Sequence, residues 1–383
     1  MDKEKTVIIL GGGSGGLICA NKIRKYLHEG HRVLLVDKKE NHLFYPSLLW
    51  LLFDWRKQEQ IERPLNILNK KGIEFIYGEV EKIDFIDMSV YAGNRKLNYD
   101  YLIISLGAQL NTSKIPKTDT IYNFYCLEGA MLAQKKINQF SEGRIAILIS
   151  SSPFKCPAAP YETGFLLDYL FRKKGLRDRI DIQIFTPESL PMPTAGPIIG
   201  NTIKQMLEQK GIKFNHDLKL LSIDGKTDEI KFTDRTEKFN LLLIVPPHQA
   251  PEVVKDAGLT DPTGWIPADP KTLQTKYEKI YAIGDVTTIK LPNGKNLPKA
   301  GVFAHYQAEV VANNIASEIE GRGLKKQFSG KGYCFLEIGE EKAGFAGGNF
   351  YTSASPAMKM HKPGKIWHWT KILFEKWWLW HWF

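Results

Sequence analysis

The sequence predicts an α/β protein of two doubly wound, parallel-sheet domains, followed by a C-terminal β and aromatic region with an amphipathic tail helix. Three observations predict it. A succession of strand, glycine loop, helix and strand opens the chain, a second strand, turn, helix and strand begins at Arg144, and most tryptophans fall near the end. Two such αβ units in sequence imply two parallel sheets.

Each element follows from a local pattern. Residues 6–10 form a short apolar strand, and Gly11-Gly12-Gly13-Ser14-Gly15-Gly16 follows. Residues 17–27 carry apolar side chains at helical spacing (Leu17, Ala20, Ile23, Leu27), and 32–36 give a second strand ending at Asp37. In the second unit, strand 145–149, a turn, a helix over 161–174 and strand 180–185 repeat the scheme. Runs at 101–105, 241–245 and 279–283 read as further strands. Pro246-Pro247 and the Gly/Pro-rich 261–270 read as a crossing back between domains. The expected division is 1–112 with 247–320 as one domain, 113–246 as the second, and 321–383 as the C-terminal region.

Length and composition narrow the function. At 383 residues the chain is long for one core, and 43% hydrophobic with 25% charged residues excludes a disordered protein. The net charge of +10 is scattered in pairs such as Lys38-Lys39, Lys70-Lys71 and Lys173-Lys174. That favours anions and acidic lipid heads over nucleic acid. Four widely spaced cysteines make neither a disulfide framework nor a zinc site, and no metal is expected. Met1-Asp2-Lys3-Glu4-Lys5 runs into an apolar strand too short for a signal peptide, and no stretch reaches the length of a spanning helix. The expectation is a chain made in the cytoplasm and at most attached peripherally to a membrane, on a side left open.

Gly11, Gly13 and Gly16 form a G-x-G-x-x-G between strand and helix, with Asp37 ending the next strand, the dinucleotide fingerprint of a Rossmann-like domain. The glycines bring backbone N–H groups and the helix N-terminus to a pyrophosphate, and Asp37 accepts from a ribose. Ile280-Tyr281-Ala282-Ile283-Gly284-Asp285 identifies the cofactor as FAD, because a late strand ending in Gly-Asp holds a ribityl chain in two-dinucleotide flavoproteins. The segment from Tyr99 to Gly107-Ala108 is the third match. Candidate cofactor contacts are Gly11, Gly12, Gly13, Ser14, Gly16, Asp37, Lys38, Val80, Gly107, Ala108, Asp285, Gly301 and Val302.

The second unit lacks such a loop. Strand 145–149 is followed by Ser150-Ser151-Ser152-Pro153-Phe154-Lys155-Cys156-Pro157-Ala158-Ala159-Pro160, and no glycine occurs before Gly164. Prolines and side chains stand where a pyrophosphate needs bare backbone, so NAD(P)H binding is not expected. Cys156 has taken the place. Just ahead of a helix N-terminus and beside Lys155, its thiolate is expected to be favoured, with Glu162 placed to exchange protons. Cys19 lies on an apolar helix face and reads as core; Cys126 and Cys334 remain unpaired by sequence alone.

At this point the chain resembles the sulfide:quinone oxidoreductase and flavocytochrome c sulfide dehydrogenase family over almost its whole length. The fingerprint with Asp37, Cys156-Pro157-Ala158-Ala159-Pro160-Tyr161-Glu162, Gly284-Asp285, Leu297-Pro298-Lys299-Ala300-Gly301-Val302-Phe303 and Cys334 carry the resemblance. It implies that Cys156 and Cys334 face the flavin and form a disulfide or polysulfide bridge, that Glu162 is an acid/base, and that Lys299 stabilises reduced flavin. A cysteine near Cys126 is sometimes attached to the flavin in quinone-reducing members. The Cys156–Glu162 wording is nearer the flavocytochrome subunit, yet Tyr45-Pro46-Ser47 lacks the cysteine by which that subunit attaches its flavin. The implied reaction oxidises sulfide to sulfane sulfur or polysulfide and passes electrons through FAD to a quinone. Three alternatives stand: a type II NADH:quinone dehydrogenase, a sulfide dehydrogenase subunit serving a cytochrome, and a non-catalytic redox sensor.

The tail bears on the acceptor. Trp367, Trp369, Trp377, Trp378, Trp380 and Trp382 crowd the end of the chain. As a helix, Lys365, His368, Lys371, Glu375 and Lys376 cluster on one side, with Ile366, Trp369, Ile372, Leu373, Trp377 and Trp380 over much of the rest. Such a helix lies in a membrane interface, residues 365–383 being the contact. The alternative packs the stripe on the protein's own sheet or on a second copy, a homo-oligomer. Phe303 and Tyr333 are the expected quinone contacts.

Overall fold

The structure, a computed structural model, describes residues 4–352 and 356–383; Met1, Asp2 and Lys3, read above as leading into the first strand, lie outside the described residues. The first sheet has five parallel strands in the order Ile280–Ala282, Tyr101–Ile104, Thr6–Leu10, Arg32–Asp37, Glu74–Tyr77. Its strands read as unbroken apolar runs because both faces are covered. Val7 and Ile9 point to helices Ser14–Tyr26 and Gly301–Ile319, while Ile8 and Leu10 point to the antiparallel strands Val80–Asp84 and Ser89–Ala92 and to Trp265.

The second sheet repeats this plan. Its order is Ile121–Asn123, Leu241–Val245, Gly143–Ile149, Ile180–Phe185, Lys213–Asn215, again all parallel. Ile145, Ile147 and Ile149 meet helices Ala159–Lys173 and Pro197–Gln209, whereas Ala146 and Leu148 meet a small antiparallel sheet through Ile230 and Phe232. The chain leaves the first sheet at Gln109–Leu110 and returns at His248–Gln249, and these two segments pair antiparallel. That is where Pro246-Pro247 announces a crossing.

Both predicted helices start earlier than the apolar spacing suggested. Ser14–Tyr26 takes Gly15 and Gly16 into its first turn, and Ala159–Lys173 starts behind two prolines. Helix Gly301–Ile319, which the pattern of residues did not predict, packs beside Ser14–Tyr26 under the first sheet. The C-terminal region folds as three antiparallel strands, Lys331–Gly339, Lys342–Asn349 and Ala357–Gly364, followed at once by helix Lys365–His381.

Within the glycine loop, Gly11 has φ of +99°, and a side chain there would run into the Ser105 carbonyl. A Cβ on Gly16 would overlap the Gly11 carbonyl backbone. Gly16→Ala must therefore move the loop, a strain of about 1–3 kcal/mol. We expect its free energy of urea unfolding to fall by that amount and its flavin content to fall with it; unchanged values for both would contradict this packing.

Candidate active site

The first half of the site is a cradle of backbone. Gly13 has nothing within 4 Å of where a Cβ would sit, so the loop crest is open to a ligand. Helix Ser14–Tyr26 begins there, and Gly301, which opens the second helix, would place a Cβ 3.6 Å from the Ser14 Oγ. Two helix N-termini thus converge, and neither has an acidic residue in its first turn. Their free N–H groups and aligned dipoles favour an anion between them. Asp37 accepts the N–H groups of Gly12 and Lys39, and burial nevertheless pushes its carboxyl above the ordinary range. Lys38 pairs at the surface with Glu79, Val80 is buried, and Gly107 and Ala108 are half-buried beside the first sheet.

Asp285 supplies the clearest sign of a missing partner. Its Oδ1 is buried without a hydrogen bond among the described residues, and burial raises its pKa although Lys299 and Lys155 lie near. A hydroxyl donor there would satisfy it, as a ribityl chain does. Gly284, one residue before, donates its N–H to Gln307 Oε1 at 2.7 Å. Open glycine backbone, paired helix ends and an orphaned carboxylate oxygen fit FAD. Lys299 donates to the carbonyls of Asp285 (2.8 Å) and Thr287 (2.9 Å) and lies over the Trp265 ring. Burial drives its pKa down to about 7. Val302 follows, half-buried, in the first turn of its helix.

The second half of the site is a pair of thiols. Cys156 sits in the left-handed region (φ +51°), a conformation a non-glycine residue keeps only under constraint. Its N–H donates to the Lys299 carbonyl at 2.8 Å, and its carbonyl accepts from the Tyr125 hydroxyl at 3.1 Å and from the Ala159 N–H at 3.0 Å. The residue is open to solvent, yet protein crowds the sulfur from most sides. Cys334 is half-buried on strand Lys331–Gly339. Each thiol is pushed up by burial first and by the Glu162 charge second, and Cys156 contributes to the Cys334 shift. The two sulfurs and Glu162 therefore share one electrostatic environment.

This corrects the expectation of a favoured thiolate. Cys156 is held up at about 12, not down. The helix begins only at Ala159, and Lys155 lies over the Tyr45 ring, 4.1 Å from its centroid, while burial and Glu162 outweigh both. The cation that does pull both thiols down is Lys371, from the tail helix. Cys126 precedes helix Leu127–Gln139 and accepts from Asn123 Nδ2 at 3.4 Å, one loop away. Cys19 is core, as expected.

Glu162 is buried and accepts from the Glu337 N–H (2.8 Å) and from Lys371 Nζ (3.0 Å). Burial raises its carboxyl, and Lys371 is the strongest group drawing it back. Glu337, wholly buried, meets His368 Nδ1 at 3.0 Å. Further along the helix, Glu375 takes Arg56 at 2.8 Å and the Ser47 hydroxyl at 2.7 Å. Sequence reasoning had grouped His368, Lys371 and Glu375 on one face but turned it toward lipid heads and water. The structure turns it inward. Arg56, Glu337 and Ser47 were missed altogether, because no spacing links them to the tail.

Elsewhere, Tyr161 donates its hydroxyl to Glu188 Oε2 at 2.7 Å, just beyond strand Ile180–Phe185. His248, at the crossing, keeps its Nε2 buried without a partner among the described residues, and burial lowers its pKa to about 3. Phe303 is buried against Phe328 and Phe350, while Tyr333 is exposed and stacks on Phe345, which stacks on Trp367. A depression of about 990 Å³ at the far end of the second sheet is lined by Arg144, Arg172, Arg177 and Arg179. Those arginines are committed to Asp181, Asp168 and Glu142, so it offers no comparable chemistry.

Two outcomes follow. Asp285→Ala removes a charge-assisted acceptor worth about 1.5–3 kcal/mol, so titration of the apoprotein should show FAD binding about ten- to hundredfold weaker. Arg56→Ala leaves Glu375 buried without its guanidinium and should cost about 3 kcal/mol in urea unfolding. A loss below about 1 kcal/mol would mean that the pair is dispensable.

Comparison with known proteins agrees with this geometry. The family model described as pyridine nucleotide-disulphide oxidoreductase matches residues 5–148 and 169–308. A sulfide-quinone reductase of Aquifex aeolicus is 28% identical, the alignment covering 98% of this chain and 90% of the relative. The mouse mitochondrial sulfide:quinone oxidoreductase is 26% identical over 87% of this chain and 75% of its own. A type II NADH:quinone oxidoreductase of Staphylococcus saprophyticus is 23% identical over 83% of this chain and 84% of its own. Among solved structures, the Aquifex aeolicus sulfide:quinone oxidoreductase superposes with a TM-score of 0.89 at 26% identity, covering 99% of this chain and 91% of that one. The chain belongs to the pyridine nucleotide-disulphide oxidoreductase family, as an FAD-dependent oxidoreductase akin to its sulfide:quinone oxidoreductase members over nearly the whole length.

Proposed function

We propose that the protein oxidises hydrosulfide, or a related sulfur species, at Cys156 and Cys334 and delivers the electrons through FAD to a quinone at a membrane surface. The observation that carries this reading is that Cys156 donates its N–H to the Lys299 carbonyl at 2.8 Å, beside the Asp285 segment, while it shares with Cys334 the field of the buried Glu162. Bound FAD supplies a two-electron acceptor for sulfur and a donor for quinone.

The chain's own residues account for the sulfur steps. In the reduced state burial and the Glu162 charge disfavour ionisation of both thiols, so neither is a good nucleophile. The nucleophile is external hydrosulfide, acting on the oxidised Cys156–Cys334 bridge. Its attack forms one sulfur–sulfur bond, breaks the bridge, and leaves a persulfide on one cysteine and a thiolate on the other. Lys371, which lowers both thiols, favours the departing thiolate. Glu162 accepts the persulfide proton, and Lys299 adds a cation-capable group whose pKa of about 7 lets it change charge near neutrality.

The tail supports membrane contact. With His368, Lys371 and Glu375 buried, helix Lys365–His381 exposes Ile366 (68%), Trp369 (54%), Leu373 (67%) and Trp380 (76%). An apolar, tryptophan-rich face of this kind suits the interfacial zone. No helix among the described residues is long and apolar enough to cross a membrane. Near that face, the ring stack of Tyr333, Phe345 and Trp367 offers flat apolar surface to a quinone, whereas Phe303 stays in the core.

A type II NADH dehydrogenase is the second reading, favoured by the Staphylococcus saprophyticus likeness. Against it stands the 150–160 loop, which carries prolines and no glycine where a pyrophosphate needs bare backbone. Stopped-flow bleaching of the flavin separates the two. Sulfide should bleach it, and Cys156→Ser should slow that by about a thousandfold or more. Rapid bleaching by NADH, or a serine variant as fast as the parent, would reverse the assignment. For the tail, replacing Trp369 and Trp380 by Gln should weaken binding to anionic vesicles about tenfold or more. Unchanged sedimentation with vesicles would remove the anchor.

A further inference from the structure

The tail helix does more than present a hydrophobic face. Lys371, the charged residue it pushes deepest toward the thiols, is buried 3.0 Å from Glu162 and 3.8 Å from Glu337. The groups facing Glu162 come from four elements. Cys156 lies ahead of its own helix, Cys334 and Glu337 on the strand Lys331–Gly339, Lys371 on the tail, and Trp50, under the Lys371 ammonium at 5.1 Å from the ring centroid, on the short helix Leu48–Leu52. His368 and Arg56 occupy Glu337 and Glu375, so Lys371 is the ammonium left to Glu162. Burial opposes the Lys371 charge, but the two carboxylates sustain it.

We propose that Lys371 is a positioning residue of the thiol site: by pairing with Glu162 it keeps that side chain an ionised proton acceptor within the field of the two cysteines, so that docking of the C-terminal helix completes the acid–base site. A carboxyl buried beside a wholly buried second carboxylate would otherwise bind a proton and be unable to take one from sulfur. The pair also sets the field at the thiols, since Glu162 raises both and Lys371 lowers both. Lifting the helix withdraws the cation and exposes Glu162 to Glu337 alone. This inference rests on the thiol chemistry proposed above for its use, but not for its geometry.

The test reads the FAD-loaded protein with any Cys156–Cys334 bridge first reduced, the reductant removed and no sulfide present, so that it stands or falls separately from the choice of donor. Lys371→Met should slow alkylation of Cys156 and Cys334 by iodoacetamide about tenfold at a fixed alkaline pH, moving the profile upward. Glu162→Gln should move it the opposite way, and Lys371→Arg should restore the parent profile. Infrared difference spectra should show a protonated-carboxyl band gained by Lys371→Met and lost again in the double variant with Glu162→Gln. Shifts of the same sign in the two single variants, or a band that survives Glu162→Gln, would overturn the proposal. Should Lys371→Met fail to hold flavin, the arginine and glutamine variants still decide it: an arginine profile displaced like a loss of charge, or a glutamine profile moved upward, refutes the pairing.

Discussion

The arrangement turns on a layer of charged and polar contacts sealed between the C-terminal helix and the body of the protein. Glu162, Glu337 and Glu375 meet Lys371, His368 and Arg56 across a boundary that leaves hardly any of them accessible. Buried pairs of this kind add little net stability, because desolvation consumes most of the Coulombic gain, but breaking one is costly. Their effect is to fix orientation. Once His368, Lys371 and Glu375 are locked inward, Ile366, Trp369, Leu373 and Trp380 can only face outward, and the same contacts put a cation beside the thiols. One interface therefore decides both which way the aromatic residues look and how readily sulfur ionises.

The tail also reaches the cofactor cradle. Trp378 Nε1 approaches His42 Nε2 at 3.4 Å, and His42 Nδ1 lies 2.8 Å from the Gly12 carbonyl of the glycine loop. Asn21, on the helix that follows the loop, donates to the Trp382 carbonyl at 3.3 Å. Cradle, thiol loop and tail are thus tied together, although Gly12 and Trp378 lie at opposite ends of the chain. Burial lowers the His42 pKa to about 4, so this link is neutral at physiological pH.

What the residues revealed in advance was local. Gly11 to Gly16, Asp37 and Gly284-Asp285 are legible because each answers a backbone requirement within a few positions, and the unbroken apolar run of Ile145 to Ile149 betrays a strand covered on both faces. Helix Gly301–Ile319 escaped because it is apolar around much of its circumference and carries no amphipathic stripe; ten of its residues are buried. The partners of the tail escaped for another reason. Arg56 and Glu375 lie 319 positions apart, and nothing in their neighbourhoods signals the pairing. The ionisation of Cys156 was misjudged in sign, since crowding of the sulfur is not visible in sequence and Glu162, though named there as a proton acceptor, was not counted as a repelling charge.

The two parallel sheets share one plan and end differently at the corresponding loop. In the first, Gly13 leaves bare backbone; in the second, Pro153, Pro157 and Pro160 stiffen the turn, Cys156 adopts a left-handed twist, and Tyr161 is fastened to Glu188. Converting the second loop into a copy of the first would require removing the prolines, freeing the tyrosine and surrendering the cysteine together. Any one of those changes leaves the other obstructions standing, so the second loop opens into a glycine cradle only when all of them are made.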